Sequence, residues 1–203
     1  MLAIALWVLN PCLSLAAAAN PAEAFVQQNV DRGYAILNDT SVSDEQRRSR
    51  FRDFMLSLTD PRRIGNFTLG QYANGASQAD LDVFESAFTD YVVAVYESRL
   101  GKYKGQTIRV TGSIQRAADD VVVNAVVVNP NNPSAPPIKA AFRVRKTGDG
   151  RSIVTDIQVE GIWLALSERS DFTAFLQQHS GRISDLVADM RQRTQMLLPT
   201  ASK

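Results

Sequence analysis

The sequence contains little of the chemistry on which enzymes and metal sites depend. It has one cysteine, Cys12, and one histidine, His179. A single histidine excludes a zinc site built from several histidines, and a Ser–His triad would have to use His179. The nucleophile-elbow pattern G-x-S-x-G is absent from the chain. Because His179 lies beside Gly181 at a predicted helix end, we interpret it as a solvated C-terminal cap.

The sequence also lacks an excess of either charge. It has 22 Lys and Arg residues against 21 Asp and Glu residues, which gives a formal net charge of +1. Nucleic-acid binding normally requires a strongly basic surface, so we expect no nucleic-acid partner. After the N-terminal segment, no stretch of the sequence is long and apolar enough to predict a membrane-spanning helix.

The N-terminal segment 1–19, MLAIALWVLNPCLSLAAAA, has no charged side chain and ends in small residues. An apolar run followed by an A-x-A pattern is typical of a secretory signal peptide, and we predict cleavage after Ala18 or Ala19. The alternative is a buried N-terminal helix. Since Cys12 lies in this segment, we expect the mature domain, 20–203, to contain no disulfide and no cysteine metal site. The prediction is an exported, periplasmic protein.

The first half of the mature domain has the pattern of helices. Capping signals precede four apolar-periodic segments, at Asn20-Pro21, at Ser43, at Asp60-Pro61 and at Ser77. Ser43 is followed three residues later by Gln46, which is the spacing of a capping box. Phenylalanines and valines then recur at helical spacing, which indicates that each helix has one apolar face.

The second half changes to the two-residue period of strands. Alternating segments lie at 107–114, 138–145 and 153–159, and a nearly continuous β-branched run lies at 121–128. Such a run is typical of a strand that is covered on both faces. Two amphipathic helices, starting near Asp171 and Arg182, close the chain. We therefore predict one α+β domain, with N-terminal helices packed on an antiparallel sheet of about four strands and C-terminal helices closing it.

Two carboxylates are candidates for acid–base catalysis. Asp156 and Glu160 are four residues apart on a predicted strand, so both are expected on one face together with Gln158. An isomerase-like enzyme would need one of them to point inward into a pocket. Because the apolar residues alternate with them, we expect this face to be a solvated outer face instead.

Apolar residues are abundant in this sequence, whereas residues suited to catalysis are few. Aromatic residues line the predicted helices, and they face a sheet rich in β-branched residues. Two interpretations stay open at this point. The residues either fill an ordinary core or enclose a concave, mostly apolar cavity for a lipid-like ligand, and periodicity does not separate the two.

Three segments resemble one known family. They are FTLGQYANGASQADLDVFESAFTDYVVAVYESRLGKYKG, with a Leu-Gly-x-Tyr stretch before a capped helix; IVTDIQVEGIWLALSERSDF, with D-x-x-x-E-G before an apolar run; and ISDLVADMRQR. They are similar, in this order, to the MlaC-type or toluene-tolerance family of periplasmic phospholipid-binding proteins. The resemblance extends from about Pro21 to Gln195. Where the family usually has a small residue, this chain has Trp163, whose large apolar surface would narrow or reshape a cavity.

The resemblance implies a soluble lipid carrier with no catalytic site and no cofactor. Phospholipid acyl chains are expected in an apolar cavity between sheet and helices. The implied protein partners are an outer-membrane lipoprotein and the substrate-binding component of an inner-membrane ABC transporter. A hopanoid or another polar lipid is an alternative cargo, and a periplasmic adaptor without a ligand is an alternative function.

The candidate lining residues are those that the periodicity turns toward the sheet–helix interface. They are Phe54, Ile64, Phe67, Leu69, Tyr72, Phe84, Phe88, Val92, Val95, Val110, Phe142, Val144, Ile157, Val159, Ile162 and Trp163. Arg143 and Arg145 are either a contact for lipid phosphate at the cavity mouth or simply solvated. Arg169 is expected at the start of the first closing helix, paired with a carboxylate such as Glu160.

Overall fold

A computed structural model describes residues 20–100 and 106–197, so the predicted signal peptide, 1–19, lies outside the described residues. The first half is helical and the sheet follows it. The helices are α1 Pro21–Leu37, α2 Asp44–Leu58, α3 Pro61–Leu69, a 3-10 helix Gly70–Gly75, α4 Gln78–Leu100, α5 Leu164–Gln178 and α6 Ile183–Leu197. The strands are β1 Thr107–Ala117, β2 Asp120–Val128, β3 Ile138–Lys146, β4 Ser152–Val159 and β5 Ile162–Trp163.

The sheet is an antiparallel meander in the order β1-β2-β3-β4-β5. The predicted α+β fold is confirmed, but the sheet has five strands and not about four. The additional strand, β5, has two residues, too few to give an alternating pattern. It pairs with β4 across Glu160 and Gly161, whose φ angles are 49° and 85°. Positive φ at both central residues is what a tight two-residue hairpin requires.

The helices begin where the capping signals predicted. In the capping box of α2, the Ser43 hydroxyl accepts from the Gln46 amide and the Gln46 side chain accepts from the Ser43 amide. The Asn20 side chain caps α1, and the Asp60 carboxylate accepts from the amide of Arg63 at the start of α3. Each cap satisfies an amide that has no partner inside its helix.

Helices α3 to α6 enclose the main hydrophobic core. The Phe172 ring meets Phe84 and Phe88 edge-on, at centroid distances of 6.2 and 6.3 Å. Leu69, Leu176, Leu186 and Met190 are completely buried around these rings. A smaller core lies between α1 and the sheet, where Ala22 and Val26 pack with Val121, Val123 and Val144. The molecule thus has two filled cores, one among helices and one between α1 and the sheet.

A bulge interrupts the alternation of β4. Arg143 pairs with Asp156 and Val144 pairs with Val154, so Thr155 is the extra residue on β4. The bulge shifts the alternation by one residue, and Ile153 therefore shares a face with Asp156 rather than with Ile157. The uninterrupted alternation that the sequence predicts for 153–159 is wrong at this point. The consequence is that Ile153 and Asp156 lie on the same face of the sheet, whereas uninterrupted alternation would place them on opposite faces.

Candidate ligand cavity

An open cavity lies between the helices and strand β4. It encloses about 970 Å³ counted with its mouth, and α2, α3, α4, α5 and β4 all contribute to its wall. The lining residues are Met55, Leu56, Thr59, Pro61, Ile64, Thr68, Phe88, Thr89, Tyr91, Val92, Val93, Val95, Tyr96, Val154, Thr155, Asp156, Ile157, Leu164, Ala165 and Glu168.

The wall of the cavity is predominantly apolar. Helix α4 contributes Phe88, Val92 and Val95 at the spacing of one helical face. Phe88 also stacks on Phe84, with 5.7 Å between ring centroids, so the wall is anchored directly in the main core. Ile157 contributes from β4. A concave apolar surface of this kind is suited to an apolar chain and offers it few hydrogen bonds.

Asp156 lies half-buried in the cavity wall, which corrects the expectation of a solvated outer face. Its Oδ1 accepts hydrogen bonds from the amides of Ala165, at 2.9 Å, and Ile157, at 2.8 Å. The first residue position before α5, Trp163, has no capping side chain of its own. Asp156 therefore caps α5 from the neighbouring strand, and this explains why α5 begins at Leu164, earlier than the start predicted near Asp171.

The environment of Asp156 changes its acidity. Burial raises the pKa of the Asp156 carboxyl, although the two backbone amides and Arg143 favour the charged form. Glu160, by contrast, is exposed in the hairpin turn and accepts a hydrogen bond from the Lys139 amide. Glu160 lies in the turn after β4 and is solvated as expected, so of the two carboxylates only Asp156 lies in the cavity wall.

A second, more polar cleft adjoins the cavity. It encloses about 570 Å³ with its mouth, and it shares Ile64, Thr155, Asp156 and Ala165 with the cavity. The other residues that line it are Arg63, Phe67, Arg143 and Arg145. The guanidinium of Arg143 donates to both carboxylate oxygens of Asp120, at 3.0 Å from Nε to Oδ1 and 2.6 Å from Nη2 to Oδ2. These hydrogen bonds lower the pKa of Asp120 and keep it ionised.

Some of the predicted lining residues do lie in the cavity. Ile64, Phe88, Val92, Val95 and Ile157 line it. Phe67 lines the cleft, and its ring lies under the guanidinium of Arg169, with 4.9 Å from Cζ to the ring centroid. Arg169 thus meets an aromatic ring, and the expected pairing with Glu160 is wrong. Whether the cavity residues contact a lipid stays a prediction.

The structure places the remaining predicted residues outside the cavity wall. Leu69, Tyr72 and Phe84 belong to the main core, and Val110, Phe142 and Val144 belong to the core under α1. Phe54 is buried between α1 and α2, where it packs against Gly33 and Phe51. Val159, Ile162 and Trp163 lie on the β4–β5 hairpin, and Ile162 is 59% exposed. The periodicity predicts that these residues lie on apolar faces, but it does not predict which segment packs against each face.

The cavity contains residues that the sequence reasoning missed. Met55, Leu56, Val154 and Leu164 are apolar, and their inward position depends on how α2 and α5 approach β4. In the sequence, only the D-x-x-x-E-G spacing indicates Asp156, and the alternation with apolar residues predicts that its side chain lies on a solvated face. In the described residues no cluster of His, Cys, Asp or Glu is arranged to hold a metal ion. His179 is the C-cap residue of α5, at the helix end that was expected for it, but it is partly buried and stacks on Phe175 instead of being fully solvated.

None of the described helices combines the length and the apolar character that a membrane span requires. The fold and the cavity together define a small α+β protein with an open apolar cavity between its helices and its sheet. The chain belongs to the MlaC protein family, whose profile matches residues 27–192. The structure is also similar to that of the phospholipid-binding protein from Ralstonia solanacearum, solved in complex with a phospholipid. That match has a TM-score of 0.74 and 23% identity, and covers 89% of this chain and 99% of the other.

Proposed function

We propose that this protein is a lipid carrier that holds phospholipid acyl chains in its apolar cavity. The observation that carries the proposal is the open cavity with a predominantly apolar wall between the helices and β4. It is supported by membership of the MlaC family and by the similar fold of a protein solved with a bound phospholipid. The family membership favours binding and transport over catalysis.

The energetics of acyl chains make a carrier necessary. Each methylene group removed from water contributes about 0.8 kcal/mol, so two long chains do not leave a bilayer unaided at a useful rate. A carrier has to cover the chains and still release them. The cavity meets the first requirement with an apolar wall, and its open mouth is compatible with the second.

The proposed location is the periplasm, after export directed by residues 1–19. The carrier would receive lipid from one membrane complex and deliver it to another. The proposed partners are an outer-membrane lipoprotein and the substrate-binding component of an inner-membrane ABC transporter. The composition of segment 1–19 and the family membership support this location.

Lipid extraction tests the proposal directly. The full chain is expressed in a host that exports it, and the exported protein is purified without detergent. The protein is then extracted with organic solvent, and the extract is analysed by mass spectrometry. We expect phospholipid at about one molecule per protein. In Ile157→Trp the indole fills the cavity, so the lipid content should fall severalfold. The matched control is Ile114→Trp, because Ile114 is 54% exposed on β1 and lines neither the cavity nor the cleft.

The possible outcomes separate the alternatives. Hopanoid in place of phospholipid would identify the alternative cargo and retain the carrier function. Protein that is free of lipid in every preparation, and whose Ile157→Trp variant still complements a deletion strain, would support the adaptor without a ligand and overturn the proposal. Transfer of labelled phospholipid between donor and acceptor vesicles then tests the shuttle, and it should require the wild-type cavity.

A further inference from the structure

The cleft beside the cavity has a charge distribution that the cavity lacks. Three arginines, Arg63, Arg143 and Arg145, line the cleft, whereas among the described residues no Lys or Arg lines the cavity. The cationic side chains around the two adjoining spaces are therefore concentrated at one end. This arrangement matches a ligand with an apolar part and an anionic part.

Two carboxylates position the guanidinium groups of Arg143 and Arg145 on β3. Asp120 is 5% exposed and accepts two hydrogen bonds from Arg143, and its carboxylate lies 3.9 Å from Nε of Arg145. Asp119 accepts from Nη2 of Arg145 at 3.0 Å. Each guanidinium has five N–H donors, so both arginines keep donors for a ligand. The planar group suits the bidentate recognition of phosphate.

Arg63 completes the cleft from the helical side. It lies in the first turn of α3 and is exposed, and within the described part of the chain its side chain has no ion-pair partner. Asp119 and Asp120 neutralise charge on the β3 arginines, and Asp156 adds a half-buried carboxylate at the boundary with the cavity. Among the described residues that line the cleft, Arg63 is thus the arginine without an ion pair.

From this geometry we infer that the cleft is a phosphate-binding subsite formed by Arg63, Arg143 and Arg145. The phosphate belongs either to the headgroup of a lipid whose chains occupy the adjoining cavity or to a free phosphate anion. The lipid case rests on the proposed function, because it needs acyl chains in the cavity. The cleft and the cavity adjoin, because Ile64, Thr155 and Ala165 line both of them. This proximity favours the lipid headgroup, whose phosphate is covalently linked to the acyl chains.

A comparison of two lipids with identical acyl chains tests the subsite. Full-length, lipid-free protein is mixed with vesicles that carry labelled phosphatidylglycerol or labelled diacylglycerol, and the lipid bound at equilibrium is measured for each. Wild-type protein should prefer the phospholipid. Arg63→Gln should reduce that preference about tenfold, the loss expected for one charge-assisted hydrogen bond. Arg48→Gln, an exposed arginine of α2 that lines neither space, should keep it.

A second variant protects the test against misfolding. Arg143→Gln alone leaves Asp120 buried without its partner, so it is combined with Asp120→Asn. The double variant should also reduce the preference for phospholipid while its diacylglycerol binding stays at the wild-type level. A parallel titration of lipid-free protein with inorganic phosphate, followed by NMR, identifies the source of the anion.

The outcomes test the phosphate-binding subsite and the carrier function separately. Phosphate binding that depends on Arg63, with no preference between the two lipids, would assign the cleft to a free phosphate anion. Variants that bind both lipids with the wild-type preference, and no phosphate binding that depends on Arg63, would overturn the subsite and leave the carrier function intact. A wild-type protein that takes up neither lipid would overturn the proposed function, and the lipid form of this inference with it.

Discussion

The main core and the cavity wall are built from the same kinds of residues but differ in how completely they are packed. Leu186, Leu176 and Met190 have no exposed surface between α4, α5 and α6. Leu56 and Val154 are only half-buried, because they face the open space beside β4. Helix α4 takes part in both regions, with Phe84 in the core and Val92 at the cavity. The difference is that one region is closely packed and the other leaves open space between the helices and β4.

The main core and the cavity wall also differ in their content of charged side chains. Among the described residues the buried charged side chain is Asp120, which lies on β2 and outside the main core, whereas the cavity wall includes the half-buried Asp156 and also Glu168. Asp156 connects β4 to the start of α5, because its carboxylate accepts a hydrogen bond from the Ala165 amide. The wall of the cavity thus includes a specific hydrogen-bonded contact between β4 and α5, whereas the main core consists mainly of closely packed apolar side chains.

The largest expected effect comes from the same truncation made in each region. Leu186→Ala should lower the free energy of unfolding by about 2–5 kcal/mol, because it removes a fully buried side chain and leaves a cavity. Leu56→Ala should cost about 1 kcal/mol or less, because that side chain already faces open space. Urea unfolding followed by circular dichroism measures both. Equal losses would contradict the distinction between a filled and a hollow region.

An intermediate effect is expected from enlarging a valine on a strand in each region. Val123→Phe should lower the free energy of unfolding by about 1–3 kcal/mol, because Val123 is fully buried under α1. Val154→Phe should change it by less than about 1 kcal/mol, since the ring can enter the cavity. The Val154 variant should also retain less lipid after extraction. A strongly destabilised Val154→Phe protein would show that the space beside β4 is not available to a side chain.

The smallest expected effect is a difference in pH dependence between two carboxylates. The pKa of Asp156 is raised above its ordinary value of 3.8 by burial, so the folded state binds its proton more readily than the unfolded state. Its carboxyl therefore opposes folding increasingly as the pH rises through the raised pKa. Asp156→Asn keeps an acceptor for the amides of α5, and its stability relative to wild type should increase between pH 4 and pH 7.

Asp120 provides the control with the opposite sign. Its pKa is lowered from 3.8 by the hydrogen bond from Arg143, so its contribution to stability is present above pH 3.8 and is lost as the pH falls through the lowered pKa. Asp120→Asn should therefore be destabilised at neutral pH and should approach wild type at lower pH. Urea unfolding at a series of pH values measures both variants. Parallel curves for the two would contradict the opposite environments assigned to them.

Local signals in the sequence predicted much of the fold correctly. The caps at Asn20, Ser43 and Asp60 form as expected, because each depends on residues within one turn of the helix. The antiparallel meander follows from strands joined by short turns. The start of α5 was predicted too late, because its cap comes from Asp156 on another strand. Local patterns do not report a cap supplied across the fold.

The sequence by itself determined which residues are apolar, where most helices start and that the helices precede the sheet. The tertiary structure alone decided which apolar faces meet each other and which remain apart. Phe84 and Phe88 lie one helical turn apart on α4, yet only Phe88 reaches the cavity. The bulge at Thr155 places Asp156 on the same face of the sheet as Ile153, which uninterrupted alternation would not do. The physical reason is that burial depends on contacts between distant segments, whereas periodicity records only the direction in which a side chain points.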